Sequence, residues 1–376
     1  MNIAILGYGT VGRGVDGIVR ANIPGVEVTR ILELPDRLTN PRMTSNYDDI
    51  INDPSIELVV ECMGGIEPAH TFIVRALNEG KHVVTSNKAV VAAHFGEFAQ
   101  LSEKNDVSFL IEAAVGGGIP WIASIEKARR IDEIRSFSGI MNGTTNYIID
   151  SMRRDDLDFD VALGRAQELG YAERDPSADI DGIDVANKTI ISACVAFDVD
   201  CVHDLPVTGI RTLTKSDLDF FAARGLTIKL FGRGESKEGR YAVAVEPVAI
   251  PLDSLEASVP SNFNIVSLEG FTVGPLKFYG QGAGSLPTGN AIVQDVIDVQ
   301  CGRKQRYDFS RGLEYDPALL MGDYIIRSTV VDVSTEAWAP GYWLLRNLTP
   351  PQAREMLNKV QREDASAFMV ALQQKG

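Results

Sequence analysis

The first twenty residues constrain the fold more than any other part of the chain. Asn2 to Leu6 is a short apolar run with the character of a buried strand, followed at once by Gly7-Tyr8-Gly9-Thr10-Val11-Gly12 and a candidate helix through about Arg20. The three glycines have separate jobs. Gly7 permits a tight turn, Gly9 lets the backbone approach a pyrophosphate, and Gly12 lets helix pack closely on strand. Free amides of Thr10 and Val11, at the helix N-terminus, would hold the phosphates. A second strand, 26–33, ends in Glu33, where a dinucleotide-binding unit places the acid that meets the adenosine ribose.

Short apolar runs then alternate with helical stretches, with strand candidates at 2–6, 26–33, 57–62, 81–85 and 107–112. That alternation predicts an α/β fold, a doubly wound parallel sheet with helices on both faces. Three loops follow these strands: Glu61-Cys62-Met63-Gly64-Gly65, Thr85-Ser86-Asn87-Lys88, and Glu112 through Pro120. Ligands of such sheets bind beyond the carboxyl ends of the strands, so Gly64, Ser86, Asn87 and Lys88 are candidate cofactor contacts. From about Arg130 the texture changes. Ile134 to Ile140 reads as a strand of a new sheet, Met141 to Tyr147 as a turn opening a helix, and helices are expected from 144 to about 232. Strands return at 240–250, 262–269 and 274–280, which predicts an α+β part with a mixed sheet. The glycine-dense segment Gly280 to Gly289, with Gly284 at its centre, lets main chain approach a ligand before an apolar helix runs through Val299. The expected parts are a dinucleotide-binding domain over 1–130, a substrate-binding and dimerisation domain over 131–280, a segment over 281–330 returning to the first domain, and a short tail over 331–376.

The stretch Ala166 to Lys188 carries the chemistry. Asp175-Pro176 marks a turn, and Asp181 or Gly182 opens a helix on which Asp184 and Lys188 stand four apart, on one face. An isolated Asp-x-x-x-Lys is commonly a surface ion pair of little worth. Here residues 189–197, TIISACVAF, continue the helix with hardly a polar side chain, so the pair is expected at the mouth of a buried element. Glu173 and Asp179 lie on the preceding loop, where carboxylates can reach the ammonium group of a small zwitterion.

Composition excludes several classes. A net charge of −15 over 376 residues leaves nothing to neutralise a row of phosphates, which argues against nucleic acid. No apolar run approaches the ~20 residues needed to cross a membrane, and MNIAILGYG reads as a strand rather than a signal peptide, so a cytoplasmic location is expected. Cys62, Cys194, Cys201 and Cys301 lack CxxC spacing and read as reduced packing residues. His70, His82, His94 and His203 show no ligand spacing and read as structural.

Ala166, Gly170, Tyr171, Asp175, Pro176, Asp179, Gly182, Asp184 and Lys188 together resemble the homoserine dehydrogenase signature, matching every position. Thr85-Ser86-Asn87-Lys88 is similar to the family's Thr-x-Asn-Lys segment, Glu112 to Pro120 to its E-A-x-V-x-x-G-x-P loop, and Asn142 to Tyr147 to its N-G-T-T-N-Y/F substrate loop. The resemblance spans roughly residues 1–325 and implies a Rossmann-type domain joined to a dimerising α+β domain. It implies reversible reduction of L-aspartate 4-semialdehyde to L-homoserine with NAD or NADP, in threonine and methionine biosynthesis. Carried onto this chain, Lys188 is the proton donor, oriented by Asp184 and helped by Lys88, with Glu173, Asp179, Tyr171 and Thr144 around the substrate. It also implies Na+ or K+ on the backbone carbonyls of Glu112, Val115, Gly117 and Ile119, Gly284 against the nicotinamide, and a homodimer. Glu33 at the ribose favours NAD, although Arg37 or Arg42 could meet a 2′-phosphate. Two other readings stay open: a semialdehyde dehydrogenase working through a cysteine thioester, and a dinucleotide-sensing protein without turnover. Asp323 to Asp332 looks like the first strand of an ACT domain, but Pro350 to Gln374 reads as one amphipathic helix, leaving that domain incomplete and threonine inhibition unexpected.

Overall fold

The apolar runs near the N-terminus are too short for helices and too apolar for an exposed sheet, and in the computed structural model, which describes residues 1–330 and 336–373, they form a buried parallel sheet. Its strands are β1 (Asn2–Leu6), β2 (Glu27–Leu32), β3 (Met43–Thr44), β4 (Ile56–Glu61), β5 (His82–Thr85) and β6 (Phe109–Leu110), in the order β3-β2-β1-β4-β5-β6. The order reverses between β1 and β4, so their carboxyl ends open the crevice in which such sheets bind ligands. Every adjacent pair is parallel, the doubly wound α/β arrangement expected.

This sheet belongs to a compact unit of Met1–Lys127, Cys194–Cys201 and Gly280–Arg311. Helix Ser285–Gln300 packs on helix Thr10–Asn22 through paired glycines. A Cβ on Gly14 would stand 2.4 Å from the Ser285 carbonyl oxygen, and one on Gly289 3.1 Å from the Gly14 carbonyl carbon. Ile3, Ile5, Val15, Ile31, Val60, Ile292 and Val296 are buried together between sheet and helices.

The second unit comprises Ala128–Ala193, Val202–Tyr279 and Gly312–Gly376. Strands β7 (Ile134–Ile140), β8 (Leu226–Lys237), β9 (Arg240–Pro251), β10 (Phe263–Gly270), β11 (Gly274–Gln281), β12 (Glu314–Tyr315), β13 (Gly322–Arg327), β14 (Glu336–Ala339), β15 (Tyr342–Leu348) and β16 (Phe368–Leu372) make a ten-stranded mixed sheet. Its order is β11-β10-β7-β8-β9-β16-β13-β15-β14, with β12 also on β9.

Two expectations are corrected here. Residues 226–232 are strand, not helix: β8 pairs along its whole length with β9. Its Gly232 lies so close to helix Ile183–Phe197 that a Cβ would stand 2.1 Å from Thr189 Oγ1, a packing reason for glycine that local sequence hides. The second correction concerns the expected single helix from Pro350 to Gln374. Helix Pro350–Gln361 starts at a Thr349–Gln352 capping box and ends before Asp364, and β16 follows. The Asp364 carboxylate accepts from Ser328 Oγ, from the Thr329 amide and from the Ser366 amide and hydroxyl, which turns the chain. The apolar run after it is then free to pair with β13 and β9. Residues 331–335 and 374–376 of the expected tail lie outside the described residues. No helix among the described residues is long and apolar enough to cross a membrane.

Candidate functional site

In the second unit the site grows from the end of β7. Asn142 caps helix Gly143–Arg154 by accepting the Thr145 amide at 2.7 Å, the ordinary role of an asparagine at that position. Its Nδ2 donates to Asp179 Oδ1 at 2.6 Å and to Asp184 Oδ2 at 2.9 Å. Lys188 Nζ donates to the same Asp184 oxygen at 2.8 Å and to the Met141 carbonyl at 2.7 Å. The Asp184–Lys188 pair is buried on helix Ile183–Phe197. An ammonium group has three N–H donors, so the third is available to a substrate oxygen.

The helix that Asn142 caps is held from behind. Asn146 Nδ2 donates to the carbonyls of Val259, Ser261 and Phe263, while its oxygen accepts from Lys229 at 2.6 Å. Lys229 is fully buried, and burial brings its pKa down to about 8. A Cβ on Gly143 would stand 2.6 Å from the Asn262 carbonyl oxygen, so only glycine fits between helix and loop. Burial also raises the Asp179 pKa, against its hydrogen bond from Asn142 and with the charge of Asp184 adding to the rise. Two carboxylates beside one ammonium leave an excess negative charge, suited to a further cation.

Other candidates are placed differently. Thr144 Oγ1 donates to the Tyr171 carbonyl at 2.5 Å, and the exposed Tyr171 ring meets Tyr147 edge-on. Glu173 is exposed on the loop, with Gln167 Nε2 donating to its main-chain carbonyl.

The first unit presents a cradle of main chain. Gly7 has φ +89°, and a Cβ on Gly12 would stand 2.2 Å from the Gly7 carbonyl oxygen. Helix Thr10–Asn22 starts at Gly9 without a side-chain cap and with no acid in its first turn, leaving its amides to an anion. Glu33 accepts the Tyr8 amide at 3.0 Å and the Leu34 amide at 2.9 Å, joining the end of β2 to the glycine loop. Arg42 is engaged with Asp16 at 2.9 Å through both guanidinium nitrogens, whereas Arg37 is exposed. The segment around Gly284 packs on the loop after β6: Gly118 N donates to Gln281 O at 3.1 Å, and Gly117, at φ +57°, has room for no Cβ against Gly282.

Glu61, at the end of β4, has a structural role that the sequence reading left unassigned. Fully buried, it accepts from the Thr85 hydroxyl, the Met63 amide and, at 3.5 Å, Asn87 Nδ2. Burial lifts its pKa to about 7 despite those bonds. Asn87 also donates to Gly65 O at 2.7 Å and caps helix Lys88–Lys104, so one network sets both Gly64-Gly65 and Ser86-Lys88. An acid closing the apolar run Leu58-Val59-Val60 was the available signal. Burial, with the charge of Glu61 adding, pushes the Cys62 thiol up, contrary to what a thioester nucleophile needs. Cys194 and Cys201 are buried and Cys301 is exposed.

Residues 7–112 match the model of the homoserine dehydrogenase NAD-binding domain, and residues 120–297 match the homoserine dehydrogenase model. The chain is 39% identical to a homoserine dehydrogenase of Synechocystis sp., covering 80% of this chain and 73% of that relative. It is 38% identical to one from Pseudomonas aeruginosa, covering 80% and 72%. The crystal structure of a homoserine dehydrogenase from Thiobacillus denitrificans superposes with a TM-score of 0.87 at 30% identity, covering 100% of this chain and 99% of that one.

Proposed function

The chain belongs to the homoserine dehydrogenase family, nucleotide-dependent oxidoreductases that interconvert L-aspartate 4-semialdehyde and L-homoserine, and from that premise we propose how its own residues divide the work. The observation that carries the assignment is Lys188, held by Asp184 and the Met141 carbonyl with one N–H left over. The bound dinucleotide supplies or accepts the hydride. As negative charge builds on the aldehyde oxygen, Lys188 Nζ donates a proton to that atom. In the oxidative direction the same nitrogen takes the proton from the hydroxyl group. Asp184 orients Lys188, and Asn142 keeps Asp184 and Asp179 in place. Asp179 and Glu173 receive the substrate ammonium group, Thr144 and Tyr171 shape the loop beside it, and Lys88 helps to position and polarise the reacting oxygen.

Gly7, Gly9, Thr10, Val11 and Gly12 hold the pyrophosphate, while Gly64, Ser86, Asn87 and Gly284 line the remaining cofactor surface. Glu33 takes the ribose hydroxyls, so NAD is the preferred dinucleotide. The neutral carbonyls of Glu112, Val115, Gly117 and Ile119, on a loop turned by two left-handed glycines, are a donor set suited to Na+ or K+. The first unit binds the dinucleotide and the second the substrate, residues from Gly312 onward belonging to the second unit rather than to a segment returning to the first, with a homodimer in the cytoplasm as the working form.

The test is a spectrophotometric assay with homoserine and each dinucleotide, comparing wild type with Lys188→Ala. Loss of roughly 10²–10⁴-fold in kcat with unchanged dinucleotide binding is expected for a positioned proton donor. Near-normal turnover in the variant would remove Lys188 from the mechanism.

A further inference from the structure

His70 and His94 are 24 positions apart in sequence, yet the packing of helix Ala69–Asn78 against helix Lys88–Lys104 brings their rings to 4.1 Å between centroids. Glu97 joins them. His70 Nε2 lies 2.8 Å from Glu97 Oε2, and His94 Nδ1 lies 3.6 Å from the same oxygen. One ligand atom from each residue falls within 4.8 Å of the other two, the one such group of three among the described residues. We propose that His70, His94 and Glu97 form a divalent transition-metal site of the zinc class, separate from the residues assigned to catalysis.

Three features support this. Zinc binds imidazole nitrogen and carboxylate oxygen at about 2.0–2.2 Å, so two ligands of a tetrahedron stand roughly 3.3 Å apart. The two separations to Glu97, 2.8 and 3.6 Å, bracket that value, and the third lies within 4.8 Å. The second feature is Glu67, whose Oε1 lies 3.1 Å from His70 Nδ1. A carboxylate on the far nitrogen fixes the tautomer that presents Nε2 to a metal, the usual outer partner of a metal-binding histidine. Access is the third: the three ligand side chains are 22%, 32% and 45% exposed, which leaves an entry path and a fourth position for water. Two imidazoles with one carboxylate suit Zn²⁺, Co²⁺ or Ni²⁺ and are a poor match for Mg²⁺, which prefers oxygen donors.

Helix Lys88–Lys104 departs from helical geometry at His94, with φ −137° and ψ 20°, so the site stands at its bend. An ion there would tie this helix, which begins beside the Asn87 network, to helix Ala69–Asn78. Such an ion would fix an element that carries Lys88 at its first position.

Titration of the full-length chain with ZnCl2, read by calorimetry, tests the proposal. One equivalent should bind, and CoCl2 should give the visible d–d bands of a low-symmetry site. His94→Gln and Glu97→Gln should each abolish that equivalent, and Glu67→Gln should weaken it by about 10–100-fold. MgCl2 should not compete. Thermal melting of the wild type with and without Zn²⁺ gives a readout independent of the variants, with a rise expected. Binding that survives in His94→Gln, or no binding and no rise in the wild type, would overturn the site and leave a His70 ion pair bridging Glu67 and Glu97.

Discussion

Asp184→Asn isolates the part of the site that most depends on burial. The Lys188 and Asp184 side chains are 11% and 9% exposed, with Nζ 2.8 Å from Oδ2. At an effective dielectric near 20 their attraction is about 6 kcal/mol, most of it offset by the several kcal/mol needed to dehydrate each ion. The intact pair therefore contributes little net stability. Removing only the carboxylate is another matter, because it leaves a buried ammonium without its counter-ion, a defect of about 3–5 kcal/mol. Lys188 would keep the Met141 carbonyl, and Asp179 stands beyond the shared Asn142, so the lower end applies. A loss of about 3 kcal/mol in a unit of this size lowers Tm by about 6–12 °C. Calorimetry of the wild type, Asp184→Asn and the double variant Asp184→Asn with Lys188→Met supplies the comparison. The double variant carries no unpaired buried charge and should melt higher than the single one, although it lacks the proton donor and should be inactive. If the single variant melts within a degree of wild type, or the double variant melts lower still, the buried-pair reasoning fails.

Glu61 and Glu112 both have pKa values raised to about 7 by burial. A carboxyl whose folded value lies above its unfolded one favours the fold below its unfolded pKa and loses that contribution as pH rises through the folded value. Denaturation midpoints should therefore show Glu61→Gln gaining on the wild type between pH 5 and pH 8, by up to about 3 kcal/mol. A constant difference across that range would place the charge cost elsewhere. Gly12→Ala should raise the dinucleotide Kd and KM at least tenfold with little effect on the amino-acid KM, because its Cβ would displace the Gly7 carbonyl. Equal movement of both constants would point to general unfolding instead. The wild type should use NAD more efficiently than NADP, and Glu33→Ala should shift the kcat/KM ratio toward NADP by roughly tenfold, the equivalent of ~1.4 kcal/mol. Arg37→Ala should reverse part of that shift, and a wild-type preference for NADP would refute the assignment of Glu33. Glu173→Gln should raise KM for homoserine far more than for the dinucleotide, and parallel changes would make its loop structural.

Local sequence determined whatever rests on local rules. Strand, glycine turn and helix follow one another from Asn2 to Arg20, and the left-handed φ of Gly7 and the close approach of Gly12 to the Gly7 carbonyl both lie within that unit. The Asp184–Lys188 pair was legible for the same reason, since four residues make one helical turn. Tertiary structure decided what depends on contacts between distant segments. The segment Leu226–Gly232 is apolar enough for either a helix or a buried strand, and pairing with β9 beneath helix Ile183–Phe197 settled the choice. Phe368–Leu372 became strand because Asp364 turned the chain onto Ser328 and Thr329. The turn from Met141 to Tyr147 that opens a helix was legible from its neighbours alone; that the Asn142 amide also holds Asp179 and Asp184 required residues 37 and 42 positions away. Hydrogen bonds of that reach are set by packing, and packing is where a chain's distant residues first acquire a common environment.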